Sequence, residues 1–392
     1  MADRIRIRSY NVRFGDAILV TVPDRDAATG TVTTRHMLVD FGNVLAGEGG
    51  SDAVFKPVID NVISQLDGQP LDLYVMTHEH MDHVQGLFHV ATKVYPNGEL
   101  AQKFQIDTAW LTASAEPGYY DTHPEAKRKK TLAMDAYAQI ARHLSALPAE
   151  ARRPFEAFMA NNNPRSTSQC VEFLRAIAPA ARTHYVSRGF DAAGKHPFRE
   201  ARFAIWAPEE DTSAYYKTLL PMALTGEAAA AGGDGHTRSQ PPAGVDAGAF
   251  YTLVQARESG LVDNILAIDK AANNSSVVFV LEWRGRRLLF PGDAEVSSWK
   301  MMRDHGVLAP VDFLKVSHHG SHNGTPDPEI LDAFFPTGAA SRRLAVISTW
   351  NDTYSGIPHD PTNDKLRARG RLKSTLDAPA KPFTDTFVKP AP

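Results

Sequence analysis

The sequence predicts an α/β protein of two facing sheets with helices outside them. Three observations point there. Apolar and β-branched runs crowd both ends of the chain, as in IRIRSYNVRFGDAILVTV (5–22), SVVFVLE (276–282) and RRLLFP (286–291). Residues 126–177 between them carry helical spacing. Within each strand-rich end, short apolar runs alternate with helix-spaced segments, the pattern of strands joined by helical crossovers.

The elements follow in order. Residues 5–22 read as two strands around a Gly15–Asp16 turn, and HMLVDFG (36–42) as a third. DAVFKPVIDNVISQL (52–66) has helical spacing with Asp52 as its N-cap. The apolar LYVMT then breaks into a His-rich stretch, followed by a strand at 106–113. The helical middle divides near Pro148 and at Asn161–Pro164. Strands return at 183–187 and 201–207. Residues 226–249 are rich in Ala, Gly and Pro and read as a loop within an insertion near 210–265. The strands at 276–282 and 286–291 meet at Arg284–Gly285. A helix at 294–305, a strand at 311–317, a helix at 327–335, a strand at 343–349 and a basic helix near 361–371 complete the chain. No repeat of fixed period is found, and residues 1–392 read as one domain with two insertions.

Composition narrows the class. The 42 Lys+Arg against 45 Asp+Glu give a net charge of −3, which argues against a generally basic nucleic-acid-binding surface. The single cysteine, Cys170, excludes an intramolecular disulfide and leaves metal binding to His and carboxylates. The start alternates charged and apolar residues without a signal-peptide core, and no run reaches the ~18 apolar residues of a membrane span. A cytoplasmic protein is the default expectation.

The sharpest signal is His78-Glu79-His80-Met81-Asp82-His83, four potential ligands within six residues directly after an apolar strand. On a sharp loop, His78 and His80 can converge on one metal ion while Asp82 and His83 face a second. Imidazoles and carboxylates together suit zinc, or a harder ion such as manganese.

These residues resemble the HxHxDH motif of the metallo-β-lactamase-fold hydrolases. The likeness is closest to the soluble hydrolase domain of the competence protein ComEC and its stand-alone relatives. YNVRFGDAILV is similar to that group's opening strands and LVDFG to its first acidic motif, at Asp40. NNSSVVFVLEWRGRRLLFPGDAE resembles the strand pair leading to its bridging aspartate, here Asp293. LKVSHHGSHNGT and NDTYSGIPH resemble two later segments.

The resemblance implies a four-layer αββα sandwich and two divalent ions, zinc or manganese, bound by His78, His80, Asp82, His83, Asp293 and His318. His318 is preferred to His319, which is left to line the pocket. Asp40 would support a ligand imidazole from behind. A metal-bridging hydroxide would attack the substrate, with Asp82 and Asp293 ionised as ligands. Where many such enzymes have a third histidine, this chain has Asn273 and Asn274, weaker ligands that favour a harder ion. His184 or His123 could complete that shell, or be structural.

Lys315 either faces the site and neutralises an anionic substrate or lies exposed on its strand. His359 is a candidate general acid or oxyanion partner, and His322 a pocket or surface residue. His36, His89, His143, His196, His236 and His305 have no supporting pattern. The expected activity is hydrolysis of phosphodiesters or phosphate esters, with an anionic small molecule or nucleic acid as partner. The basic runs Lys127–Lys130 and Lys365, Arg367, Arg369, Arg371, Lys373 are compatible with such a substrate. The alternatives are an acyl hydrolase acting on a lactone or β-lactam, and a non-catalytic metal-binding regulator. No G-x-S-x-G motif suggests a serine nucleophile, and Cys170 falls inside a predicted helix.

Overall fold

Alternation of apolar residues decides which way each strand faces, and the strands assemble into two mixed sheets. The structure is a computed structural model describing residues 3–44, 51–222, 260–338, 343–351, 353–354, 356–377 and 379–391. The 226–249 loop and His236 fall outside the described residues. In one sheet, β1 (Ile5–Tyr10), β2 (Ala17–Arg25), β3 (Val32–Phe41), β4 (Leu73–Met76), β5 (Ala109–Thr112) and β6 (Thr183–Val186) lie side by side. The pairs β1–β2 and β2–β3 are antiparallel, and β3 to β6 run parallel. The other sheet holds β7 (Arg202–Ala207), β8 (Val278–Trp283), β9 (Arg286–Phe290), β10 (Phe313–Lys315), β11 (Leu344–Ile347) and β12 (Arg371–Ser374). Here β7–β8 and β8–β9 are antiparallel and β9 to β12 parallel.

Two strands were not anticipated. β12 begins where the basic helix was expected to end. β13 (Phe383–Val388) pairs antiparallel with β1, placing Ile5 opposite Val388 and Tyr10 opposite Phe383. Its sequence, FTDTFV, carries polar residues on both faces (Asp385 on one, Thr384 and Thr386 on the other), and the partner that fixes it lies at the other end of the chain. Arg8 clamps the pair by donating two hydrogen bonds of 2.8 Å to Asp385.

The helices are α1 (Asp52–Leu66), α2 (Met81–His89), α3 (Glu99–Lys103), α4 (Tyr119–Thr122), α5 (Pro124–Ser145), α6 (Ala149–Asn161), α7 (Pro164–Arg175), α8 (Leu261–Asn274), α9 (Val296–Asp304), α10 (Pro328–Phe334) and α11 (Asp360–Arg367). The breaks expected near Pro148 and Asn161–Pro164 separate α5, α6 and α7. Helix α1 spans the expected residues, but Ser51 is its N-cap, while Asp52 lies in the first turn and accepts a 2.8 Å bond from His89. Helix α8 starts inside the insertion expected near 210–265, because Leu261, Ile265 and their neighbours pack against Ile140, Leu144 and Phe155.

Three apolar clusters define the layers. Ile7, Val20, Val39 and Val75 of the first sheet meet Phe279, Leu281, Phe290 and Phe313 of the second. The outer face of the first sheet packs on Val58, Val62, Val84, Leu87 and Leu174 of α1, α2 and α7. That of the second packs on Trp299, Met302, Leu331 and Phe334 of α9 and α10. Each fully buried side chain of this kind contributes about 1.5–3 kcal/mol. The order is helices, sheet, sheet, helices. Both sets of parallel strands send their carboxyl ends to one edge, where ligand sites collect in α/β folds.

Candidate metal centre

Five strand ends deliver the polar residues of this edge. Asp40 ends β3, His78 and His80 follow β4, Asp293 follows β9, His318 and His319 follow β10, and Ser348 follows β11. All but His318 are at most 2% exposed. The chain after β4 turns straight into α2, so that Asp82 and His83 sit in its first turn. Glycines let the loops close on that turn. A Cβ at Gly42 would come within 2.3 Å of the Asp82 backbone, and one at Gly292 (φ +53°) within 2.8 Å of Thr77.

Among the described residues, Asp82, His83, Asp293 and His319 form the largest such group, one ligand atom of each lying within 4.8 Å of the others. His319 Nε2 is 3.2 Å from both Asp82 Oδ2 and Asp293 Oδ2. His83 Nε2 is 3.2 Å from Asp293 Oδ2 and 3.7 Å from Asp82 Oδ1. His83 Nε2 and Asp82 Oδ1 are buried and make no hydrogen bond. Behind them, His83 Nδ1 donates to Asp40 Oδ2 at 2.8 Å and His319 Nδ1 to the Ser348 carbonyl at 2.9 Å. Asp40 is itself held by the Thr77 N–H and hydroxyl, both at 2.7 Å. It has the supporting position expected of it.

His78 and His80 form a second group with Asp82. His78 Nε2 faces His80 Nδ1 at 3.1 Å. Their other nitrogens have acceptors, Thr77 Oγ1 at 3.1 Å and Asn162 Oδ1 at 2.9 Å. In the tautomers these partners select, two lone pairs point at one another. That contact is unfavourable unless a cation lies beside it. Converging imidazoles, unpartnered buried donor atoms and ionised carboxylates fit divalent metal ions.

The electrostatics agree. Burial and the neighbouring His83 and His80 hold His78 well below the usual histidine range, in its ligating neutral form. Burial works against protonation of His83 and His319 too, but Asp293 and its neighbours outweigh it and push His319 up to about 10. Burial would raise Asp293, yet His319, His83 and Lys315 hold it well below the carboxylate range. Without an ion, two protonated imidazoles supply the positive charge these carboxylates require.

Several expected placements change. His319, not His318, joins Asp82 and Asp293. Both residues are left-handed (φ +48° and +52°), a backbone costing about 1–3 kcal/mol each, and this turns the two rings apart. His318 instead stands 3.5 Å from Glu295 Oε1 and 3.4 Å from Asn273 Nδ2. Lys315 does not lie exposed on its strand. It is 2% exposed, ion-paired with Asp16, and 3.6 Å from Asp293 Oδ1, because β10 is covered on both faces. Asn274 faces away from the ligands: its Oδ1 accepts from the Glu295 and Ser298 N–H groups at the start of α9. His359 Nδ1 contacts Thr362 Oγ1 at 3.0 Å, and the His359 backbone N–H donates to the Gly320 carbonyl at 2.9 Å, beside but outside the ligand groups. His322 lies against the His359 ring.

His123 stacks on Tyr119 and His184 lies against Phe190, so neither completes a metal shell. His36, His89, His196 and His305 contact Thr21, Asp52, Trp110 and Glu209, and His143 lies in the last turn of α5. The basic run is matched by local acceptors: Lys127 by Asp121, Arg128 by Glu125, Lys129 by Glu125 and Lys130 by Glu79. Arg367 and Arg369 pair with Asp364 and Asp332, and Lys373 bonds the Asp385 carbonyl.

Three further participants escaped the sequence reading. Asp16, read as a turn residue, takes the Lys315 charge and a hydrogen bond from Ser348. Glu295 follows Asp293 by two residues, and burial beside Asp269 pushes its carboxyl up to about 8. Tyr354, within NDTYSGIPH, packs on Phe14 and Phe158, and burial followed by Asp82 keeps its hydroxyl protonated. The segments that carried them were in view; their neighbours in space were not. Compared with protein-family models and with curated proteins, the chain matches none.

Proposed function

We propose that the chain is a divalent-metal-dependent hydrolase of the metallo-β-lactamase fold, acting on phosphodiesters or phosphate esters, nucleic acid among them. The observation that carries this reading is the meeting of Asp82, His83, Asp293 and His319 from three separate strand ends, with unpartnered donor atoms turned inward. The helix–sheet–sheet–helix layering supports the fold. Divalent ions, when bound, would polarise the substrate and activate water.

The chain's own residues prepare that chemistry. Asp40 and the Ser348 carbonyl hold the Nδ1 hydrogens of His83 and His319, which leaves each Nε2 free to ligate. Asn162 holds Nε2 of His80 and Thr77 holds Nδ1 of His78, which leaves His80 Nδ1 and His78 Nε2 free to ligate. Lys315 adds to His319 and His83 in keeping Asp293 ionised. His359, anchored to Gly320 beside His319, is assigned the proton for the leaving group. Cys170 is no nucleophile: burial in α7 pushes its thiol up to about 12.

Substrate class rests on donor chemistry. Carboxylates make up half of the group around Asp293, Asp82 and Asp293 beside His83 and His319, and ions that accept such oxygen donors also favour phosphate oxygens. The paired basic runs lend no support to it. One observation favours acyl hydrolysis instead. A cavity of about 90 Å³ beside His80 is lined by Tyr120, Tyr137, Tyr216, Met134 and Ile268, with the Lys130 charge matched by Glu79. Such a lining suits an apolar acyl group.

The deciding experiment reloads metal-free protein with zinc or manganese. It then compares kcat/KM on bis-p-nitrophenyl phosphate and single-stranded DNA with that on a chromogenic β-lactam and a lactone. Higher turnover of the phosphodiesters is expected. Efficient lactam or lactone turnover alone moves the assignment to acyl hydrolysis, and bound metal with no turnover leaves a binding protein.

A further inference from the structure

Beside the His78–His80 pair lies a second constellation of metal-ligating side chains that the reaction described above does not use. Asp269, on α8, and Glu295, before α9, are 5% and 3% exposed. Among the described residues, the only ion-pair partners of these two carboxylates are histidines, His80 and His318. Two buried carboxylates so close together are unfavourable without compensating positive charge. One ligand atom from each of Asp269, Glu295 and His318 lies within 4.8 Å of the others.

What stands among them is an amide. Asn273 Nδ2 donates to Asp269 Oδ2 and Glu295 Oε1, both at 3.0 Å, and is 3.4 Å from His318 Nε2. Asn273 is 1% exposed, and its Oδ1 has no hydrogen-bond partner. The buried Nδ1 of His318 has none either. The two ends of an amide have nearly the same shape, and a half-turn exchanges donor for acceptor. Against these two carboxyl oxygens the NH₂ end fits; with a cation present, the unpartnered Oδ1 becomes a ligand.

We propose that Asp269, Glu295, His318 and the Asn273 amide oxygen form a site for one divalent cation of oxygen preference, of the manganese class. It is separate from the group of Asp82, His83, Asp293 and His319. Two carboxylates and an amide oxygen with a single imidazole select such an ion over zinc. The ion enters past His318, whose side chain is 15% exposed. The site does not depend on the hydrolase reading, since cations are counted whether or not a substrate turns over.

The test is Mn²⁺ binding to the full chain after chelation, by calorimetry and by electron paramagnetic resonance of free Mn²⁺. Variants are Asp269→Asn, Glu295→Gln, His318→Asn and Asp293→Asn. The expected result is one Mn²⁺ fewer per chain, or at least tenfold weaker binding of one ion, in each of the first three. Asp293→Asn, which disables the other group, retains that ion. His318→Asn, at the exposed end of the site, serves should a core variant fail to fold, as judged by circular dichroism. Equal Mn²⁺ stoichiometry and affinity in wild type and in the folded variants overturns the proposal. The amide alone would then compensate the carboxylates.

Discussion

His319 Nε2 lies 3.2 Å from Asp293 Oδ2, while the adjacent His318 turns its ring toward Glu295. Two identical side chains, consecutive in sequence, thus belong to different groups. Replacing His319 by Ala is expected to remove the ion shared with Asp82, His83 and Asp293 and to abolish hydrolysis. His318→Ala should leave that ion in place. Metal analysis of both variants after dialysis checks the assignment, and the reverse pattern would restore His318 as the ligand.

Asp40 lies behind the group of Asp82, His83, Asp293 and His319 and fixes the imidazole of His83. An Asp40→Asn exchange should weaken metal affinity about 10–100-fold while the protein stays folded. Competition with a chromophoric chelator measures it; unchanged affinity would mean that Asp40 serves the fold alone.

Lys315 is a buried cation between Asp16 and Asp293. Its replacement by Met leaves buried carboxylate charge uncompensated, a loss of about 3–5 kcal/mol. Urea unfolding of the chelator-treated protein gives the value. A change below about 1 kcal/mol, the worth of an exposed pair, would show that water reaches this pair.

The metal-free protein should lose stability as pH rises. Burial opposes a proton on His319, but Asp293 raises it from 6.5 to about 10, and burial beside Asp269 raises Glu295 from 4.5 to about 8. A group with a raised folded pKa stabilises fully below its unfolded value and loses that contribution as pH climbs through the folded one. Melting temperatures of chelated protein should therefore fall between pH 6 and 9, within the window set by those shifts. Metal, replacing the protons, should remove the trend. A flat or rising profile without metal would contradict it.

His359 is assigned a proton rather than an ion. His359→Gln should lower kcat by about 10²–10⁴ with metal content unchanged, and flatten one limb of the pH–rate profile. Lowered metal content in this variant would make it a ligand instead.

How much was legible depended on whether the deciding contact was local. HxHxDH announced itself because four potential ligands fall within six residues directly after a strand. Helices α1 and α5 to α7 were readable from apolar spacing and from Pro148 and Pro164 at their breaks. His318 and His319 could not be separated, since they differ in backbone direction and not in chemistry. Lys315 sits in an apolar strand, and no local pattern reveals that Asp16, some three hundred residues earlier, waits opposite its ammonium group.

By itself, the sequence determined the alternating strands and helices, the ligand types and the loop that holds four of them. Periodicity and side-chain chemistry are properties of short segments. The tertiary structure alone decided which histidine of the pair meets Asp293, that Asp269 and Glu295 share one buried space, and that β13 returns to β1. Each is settled by packing between segments distant in the chain, where burial leaves a charged or polar atom only the partners that the fold brings to it.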